Sequence, residues 1–148
     1  MLRRPASLAA VAVLVAFALP LIAADSDSPT RLTWDEYVTD CGLAAQKANQ
    51  ARTEKIFREK YKGKVIIWPG KVTSVSEKLG GNGFTIGVAM KPTESKLGSS
   101  DILLSAPDSF KNEAVSMNSG DAIRFVGKMT SQGGAILNHQ IELIRLAY

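Results

Sequence analysis

At Gly63 the spacing of the apolar residues changes, and this change limits the fold more than any other feature of the chain. Before it, between Thr33 and Lys60, Trp34, Tyr37, Val38, Cys41, Ala45, Ala48, Ile56 and Phe57 recur at three- and four-residue intervals. That spacing puts side chains on one stripe of a helix. After it, β-branched and aromatic residues alternate with polar ones in short runs separated by glycine, as in strands that bury one face.

The helical part carries its own stop and start signals. Thr33 with Glu36 three residues later forms a capping box. Gly42 predicts a break between a short first helix and a longer second one. The polar face mixes Gln, Asn, Glu, Lys and Arg, unlike the uniformly basic face of a helix that lies on a membrane.

Lys64 to Val75, interrupted by Pro69-Gly70, reads as one long strand bent in the middle, with the glycine permitting a bulge. Leu79 to Gly83 is a turn, after which Phe84, Ile86, Val88 and Met90 alternate with Thr85, Gly87, Ala89 and Lys91. A loop containing Pro92 and Gly98 leads to a third strand, Asp101 to Ser105, and Pro107 to Asn118 reads as a short helix or irregular connection. In the fourth strand Ile123, Phe125 and Met129 face one way, Arg124 and Lys128 the other. Gln132-Gly133-Gly134 turns into a fifth, with Leu137, His139, Ile141 and Leu143 on one face. Five strands, a bent first strand and an insertion after the third predict a mainly β fold, a five-stranded Greek-key barrel of the OB type preceded by an N-terminal α-helical segment. A generic antiparallel α+β domain is the competing arrangement.

The 148 residues suffice for one domain. Met1 to Ser7 hold two arginines and no acid, Leu8 to Leu19 are apolar, and Ile22-Ala23-Ala24 offers small residues before Asp25. This predicts a cleaved signal peptide over residues 1–24 and delivery to the secretory pathway, either the endoplasmic-reticulum lumen or the exterior. An uncleaved anchor is the alternative, but Leu8 to Ala24 falls short of the roughly 20 residues a span prefers, and Pro20 sits near its end. No stable membrane span is expected after cleavage. The remaining chain divides into a linker at 25–32, a helical segment at 33–62 and the barrel at 63–148.

Chemistry is sparse. Cys41 is the one cysteine and has no internal partner, so it is either buried or a redox-active or intermolecular thiol. His139 is the one histidine, and one histidine with one distant cysteine builds neither a zinc site nor a nucleophile–base pair. Gly80 to Gly83 is a hairpin loop without the helix N-terminus and lysine of a phosphate-binding loop. The residues therefore predict no enzyme, no metal and no cofactor. The formal net charge of +4 includes Arg3 and Arg4, leaving about +2 on the mature chain, too weak a basic excess for a nucleic-acid binder. Trp68, Phe84 and Phe125 fall in phase with aliphatic neighbours, which assigns them to the core and not to a stacking surface. The expected binding surface is the concave barrel face around Lys71, Thr73, Thr85, Arg124 and Lys128, rimmed by the loop from Ser95 to Ser100.

Three ordered stretches then carry a resemblance. They are Trp34-Asp35-Glu36-Tyr37 with Cys41-Gly42, running on to Gly63, Trp68 and Gly70; Phe84 to Met90 with Asp101-Ile102-Leu103-Leu104 and Ser109-Phe110-Lys111; and Ser119-Gly120-Asp121 with Ile123, Phe125 and Glu142-Leu143. In this succession the chain resembles the luminal C-terminal domain of the wolframin family. The resemblance implies an OB-type fold behind a helical, cysteine-containing segment, residence in the endoplasmic reticulum or beyond, and contact with other proteins. The chain departs from the family in its signal peptide in place of membrane spans, its single cysteine and a tight Gly-rich turn after the first strand. The function expected is a non-catalytic binding module that recognises a protein partner. The alternatives are an exported barrel that holds an oligosaccharide, a single-stranded nucleic acid or a small anion, and a structural subunit whose helix docks on a larger assembly.

Overall fold

The two-residue period after Gly63 builds five strands: β1 (Val65–Glu77), β2 (Phe84–Ala89), β3 (Ile102–Ala106), β4 (Ala122–Ser131) and β5 (His139–Leu146). They close into a barrel in the order β1-β2-β3-β5-β4. Every pair is antiparallel except β3 with β5, which run parallel. The computed structural model describes residues 28–94, 100–134 and 137–147, so the leader assigned to residues 1–24 lies outside the described residues.

Closure depends on β1. Its first half, Val65 to Lys71, pairs with β4 and its second half, Lys71 to Glu77, pairs with β2. One strand thus serves two neighbours and joins the sheet to itself, which removes the open edges that invite aggregation. The expected bulge at Pro69-Gly70 is not where the register shifts. The shift lies between Val72 and Ser74, and Pro69 sits opposite Arg124 in an unbroken ladder. Gly70 is needed for space instead, because a Cβ there would overlap the Val88 side chain.

Inside, Ile66, Trp68, Val72, Ile86, Val88, Ile102, Leu104, Phe125, Met129, Ile141 and Leu143 fill the barrel. A 3-10 turn, Asp108–Phe110, and the short helix α3 (Lys111–Ser116) follow β3. Ala114 is buried there, with Phe110 and Met117 packed against the core. The helical segment meets the opposite end, where β1, β3 and β5 begin and β2 and β4 finish. It consists of α1 (Trp34–Cys41), α2 (Leu43–Ile56) and a π-helical turn, Phe57–Tyr61.

The capping box at Thr33 is present in both directions: the Glu36 N–H donates to Thr33 Oγ1, and the Thr33 N–H donates to Glu36 Oε2. Gly42 separates α1 from α2 as expected. The second helix is not continuous, however. Asn49 leaves the helical region (φ −164°, ψ 94°) and its Oδ1 accepts the Arg52 N–H at 3.0 Å, so it caps the turns that follow. Asparagine favours this role because its short amide replaces a lost backbone partner. Of the predicted stripe, Ala48 beside the kink is exposed, whereas Trp34, Tyr37, Cys41 and Phe57 are buried, and Thr53, outside that stripe, is buried with them. Leu137 also departs from expectation: it precedes β5 and is 70% exposed, its carbonyl spent on the hairpin turn with the Gly134 N–H.

Gly42 has an extended backbone that any residue could adopt (φ −70°, ψ 175°), but a Cβ would overlap the Val38 carbonyl and crowd the Glu94 carboxylate. Glu94 Oε2 accepts the Leu43 N–H at 2.5 Å. Gly42→Ala is therefore expected to destabilise the fold by about 1–3 kcal/mol, measured as a shift in the urea midpoint at unchanged slope.

Candidate functional site

The face that the helical segment turns to the barrel is aromatic, and one histidine sits at its centre. Trp34, Tyr37, Phe57, Tyr61 and Trp68 are all buried. Tyr37 stands edge-on to Tyr61 at 5.0 Å between centroids and to the His139 ring at 4.9 Å. Trp34 packs on Trp68 at 5.3 Å and on His139 at 5.7 Å. Edge-to-face contacts of this kind add directional preference to area burial. Each polar tip finds a partner: the indole N–H of Trp34 donates to the Pro92 carbonyl and that of Trp68 to the Leu32 carbonyl, both at 2.8 Å.

His139 Nδ1 accepts the Gly133 N–H at 2.8 Å and lies 2.7 Å from the Tyr37 hydroxyl. An amide N–H can only donate, so Nδ1 is unprotonated and the Tyr37 hydroxyl donates to it as well. One ring nitrogen thereby ties α1 to the turn between β4 and β5. Burial pushes the His139 pKa down to about 4, against a smaller upward pull from Asp101. Burial likewise raises Tyr37, so both groups are neutral at ordinary pH.

Asp101 does a similar job for the loop after β2. Its carboxylate is buried and accepts the Met90 N–H at 2.7 Å, the Glu94 N–H at 2.6 Å and the Thr93 hydroxyl at 3.0 Å. Through Glu94 that loop in turn caps the start of α2. Asp40 accepts from Tyr61 and Lys60, both at 2.7 Å, and the Lys60 ammonium and the Tyr61 hydroxyl hold its carboxyl below the usual carboxylate range. Cys41 is fully buried with its Sγ 3.7 Å from the Thr53 carbonyl, and burial pushes its thiol up to about 12. A thiolate nucleophile is not offered to solvent here.

The predicted surface residues do not gather on one face. Thr85 lines an open groove of 500 Å³ with Lys78, Asn82, Leu103, Ser105, Thr130, Gln140 and Glu142. This groove lies on the outward side of β2, β3 and β5, beside the turn between β1 and β2. Lys128 is directly opposite Glu142 in the β4–β5 ladder, next to the same groove. Arg124 lines a different depression of 570 Å³ with Met117, Ile123 and Leu146, near α3. Lys71 is exposed on β1 opposite Ala122, and the Thr73 hydroxyl is bound to Ser100 Oγ at 2.6 Å. Residues 95–99 of the expected rim lie outside the described residues. Trp68, Phe84 and Phe125 are buried, 2%, 6% and 0% exposed, so no aromatic side chain lines the β2–β3–β5 groove. The groove residues on β3 and β5 were legible as the polar phase of strands whose other phase is core; the partners of His139 and Asp101 were not, because they come from distant segments.

Lys78 Nζ donates to Ser105 Oγ at 2.6 Å and draws the β1–β2 turn over β3. A closed barrel with one parallel pair, an end covered by α3 and an open groove across β2 and β3 is the OB arrangement. Residues 83–147 match the model of the wolframin C-terminal OB-fold domain. The matched segment runs from Gly83 through β2, β3, α3, β4 and β5, less than half of the 148 residues, and leaves the helical segment and β1 outside it. No individual curated protein matches the chain.

The barrel is stapled to the helical segment by a neutral histidine, and this has a pH signature. Between pH 6.5 and about 4 the unfolded chain protonates His139 while the folded chain resists. Stability from this group is thus complete above about pH 6.5 and declines as pH falls toward 4, by on the order of 3 kcal/mol. His139→Gln, whose amide oxygen can accept the same two donors, is expected to flatten that decline in urea unfolding between pH 7 and 4.

Proposed function

We propose that the chain is a non-catalytic OB-type binding module of the secretory pathway that recognises a protein partner through the groove across β2, β3 and β5. The observation that carries this reading is the chemistry of that groove. It stays open because the helical segment covers an end of the barrel and not this face. Its lining of hydroxyls, amides, Lys78 and Glu142, with Leu103 and Pro107 among them, suits the backbone and mixed side chains of a peptide or loop. A luminal or secreted location is supported by the apolar leader and by the family of residues 83–147, and the described residues contain no helix long and apolar enough to cross a membrane.

A non-catalytic role is supported by how the reactive side chains are used. His139 is committed to Tyr37 and Gly133, and Cys41 is buried and hard to ionise. The alternative of a single-stranded nucleic acid or oligosaccharide ligand predicts exposed stacking aromatics, whereas Trp68 and Phe84 are core.

The mature chain, immobilised, is expected to capture a secretory-compartment protein that the Thr85→Arg, Gln140→Arg double variant does not. Both positions are outward on the barrel, so the variant should melt like the wild type. Equal capture by the folded variant, or no capture above an empty surface, contradicts the proposal.

A further inference from the structure

A second surface lies between α2 with its π-helical turn and the turn joining β4 to β5. It is a groove of 680 Å³, with Gln50, Phe57, Arg58 and Lys62 on one wall and Ser131 to Gly134 and Leu137 on the other. The charge of the chain is concentrated beside it. Residues 47–64 carry seven Lys and Arg against two Asp and Glu, whereas residues 65–148 carry eight against seven. Some of these cations are paired: Lys60 with Asp40 at 2.7 Å and Lys55 with Glu59 at 4.0 Å. Arg52, Arg58, Lys62 and Lys64 are exposed and have no ion-pair partner among the described residues, and two of them line the groove.

The floor is held in place. Gln46 Nε2 donates to the Cys41 carbonyl at 2.8 Å and to the Gly133 carbonyl at 2.9 Å, while Gln132 Nε2 reaches the Cys41 carbonyl at 3.2 Å. These bonds fix the two walls relative to each other, which lowers the ordering cost of any ligand. At one side Leu137 is 70% exposed, an apolar side chain open to contact. Glu54 is the groove's one carboxylate and receives a hydrogen bond from Gln50 at 2.9 Å.

We propose that this groove docks an extended acidic segment of a partner protein, its carboxylates facing Arg58 and Lys62 and an apolar side chain against Leu137. Charge complementarity selects the sign of the ligand. The neutral hydroxyl and amide wall selects a peptide over a polyanion: a nucleic acid needs cations along its whole length, and here they stand on one wall. A bilayer is disfavoured by shape, since Phe57 is buried and Leu137 is the one exposed apolar side chain among the described lining residues, beside a concavity. This groove adjoins the β2–β3–β5 groove at Thr130, which lines both, whereas Arg58, Lys62 and Leu137 line this one alone.

The test is fluorescence anisotropy with a labelled peptide of alternating Asp and Glu around one Leu, titrated with the mature chain at low and physiological salt. Binding is expected, weakening as salt rises. It should fall about tenfold or more in the Arg58→Glu, Lys62→Glu double variant, fall in Leu137→Ser, and be retained in Thr85→Arg, at a position that lines only the β2–β3–β5 groove. All three groove substitutions are at exposed positions, and matched melting curves confirm that the variants are folded. A milder Arg58→Gln, Lys62→Gln pair should fall between wild type and the charge reversal. No binding, binding indifferent to these substitutions, or tighter binding of a single-stranded oligonucleotide or of phosphatidylserine vesicles overturns the proposal.

Discussion

One imidazole nitrogen sets how the two halves of this protein meet. His139 begins β5, so its backbone is placed by the barrel: its N–H donates to the carbonyl of Asp101, the residue just before the adjacent β3. Its Nδ1 then receives the Gly133 N–H from the β4–β5 turn and the Tyr37 hydroxyl from α1. A buried acceptor with two donors is costly to break, because separation leaves polar groups unpaired in a low-dielectric site. Around it the rings of Trp34, Tyr37, Tyr61 and Trp68 interlock, and the burial of those rings supplies most of the attraction. The hydrogen bonds give the contact its register.

That junction explains what the chain offers to partners. Aromatic residues that would stack bases in a nucleic-acid-binding barrel point inward, since the barrel needs them to fill its interior and seal the helical segment over its end. What remains outside is mostly polar, with Leu79, Val115 and Leu137 as exposed apolar side chains. The open groove between β2, β3 and β5 and the cation-lined groove under α2 are both products of the same constraint. The first stays clear because the helices dock elsewhere; the second exists because they dock against the β4–β5 turn.

Much of this architecture was legible in the residues. The change of period at Gly63, the capping box at Thr33, the break at Gly42 and the alternation in Phe84 to Met90 each depend on neighbours within a few positions, and each has its structural counterpart. The bulge at Val72 was misplaced to Pro69-Gly70, because a proline that lacks an N–H weakens a ladder only where that N–H was required. The kink at Asn49 was hidden because asparagine inside a helical pattern reads as one more polar residue, and only its bond to the Arg52 N–H reveals a cap. Leu137 was drawn into β5 by its parity with His139, though the Gly134 N–H holds its carbonyl in the turn. The candidate site was the least legible. Lys71, Thr73, Thr85, Arg124 and Lys128 share a polar phase, but a barrel curves, and outward residues on β1, β2 and β4 face different directions.

The central claim is that the helical segment and the barrel form one cooperative unit joined at His139. Cys41 reports on it directly, since it is fully buried at the end of α1 and labels only when that junction opens. Thiol labelling across a series of low urea concentrations gives the free energy of opening and its denaturant slope. Both are expected to equal those of global unfolding. An opening free energy well below the global value, with a shallow slope, would mean that the helices detach from an intact barrel and would contradict that claim.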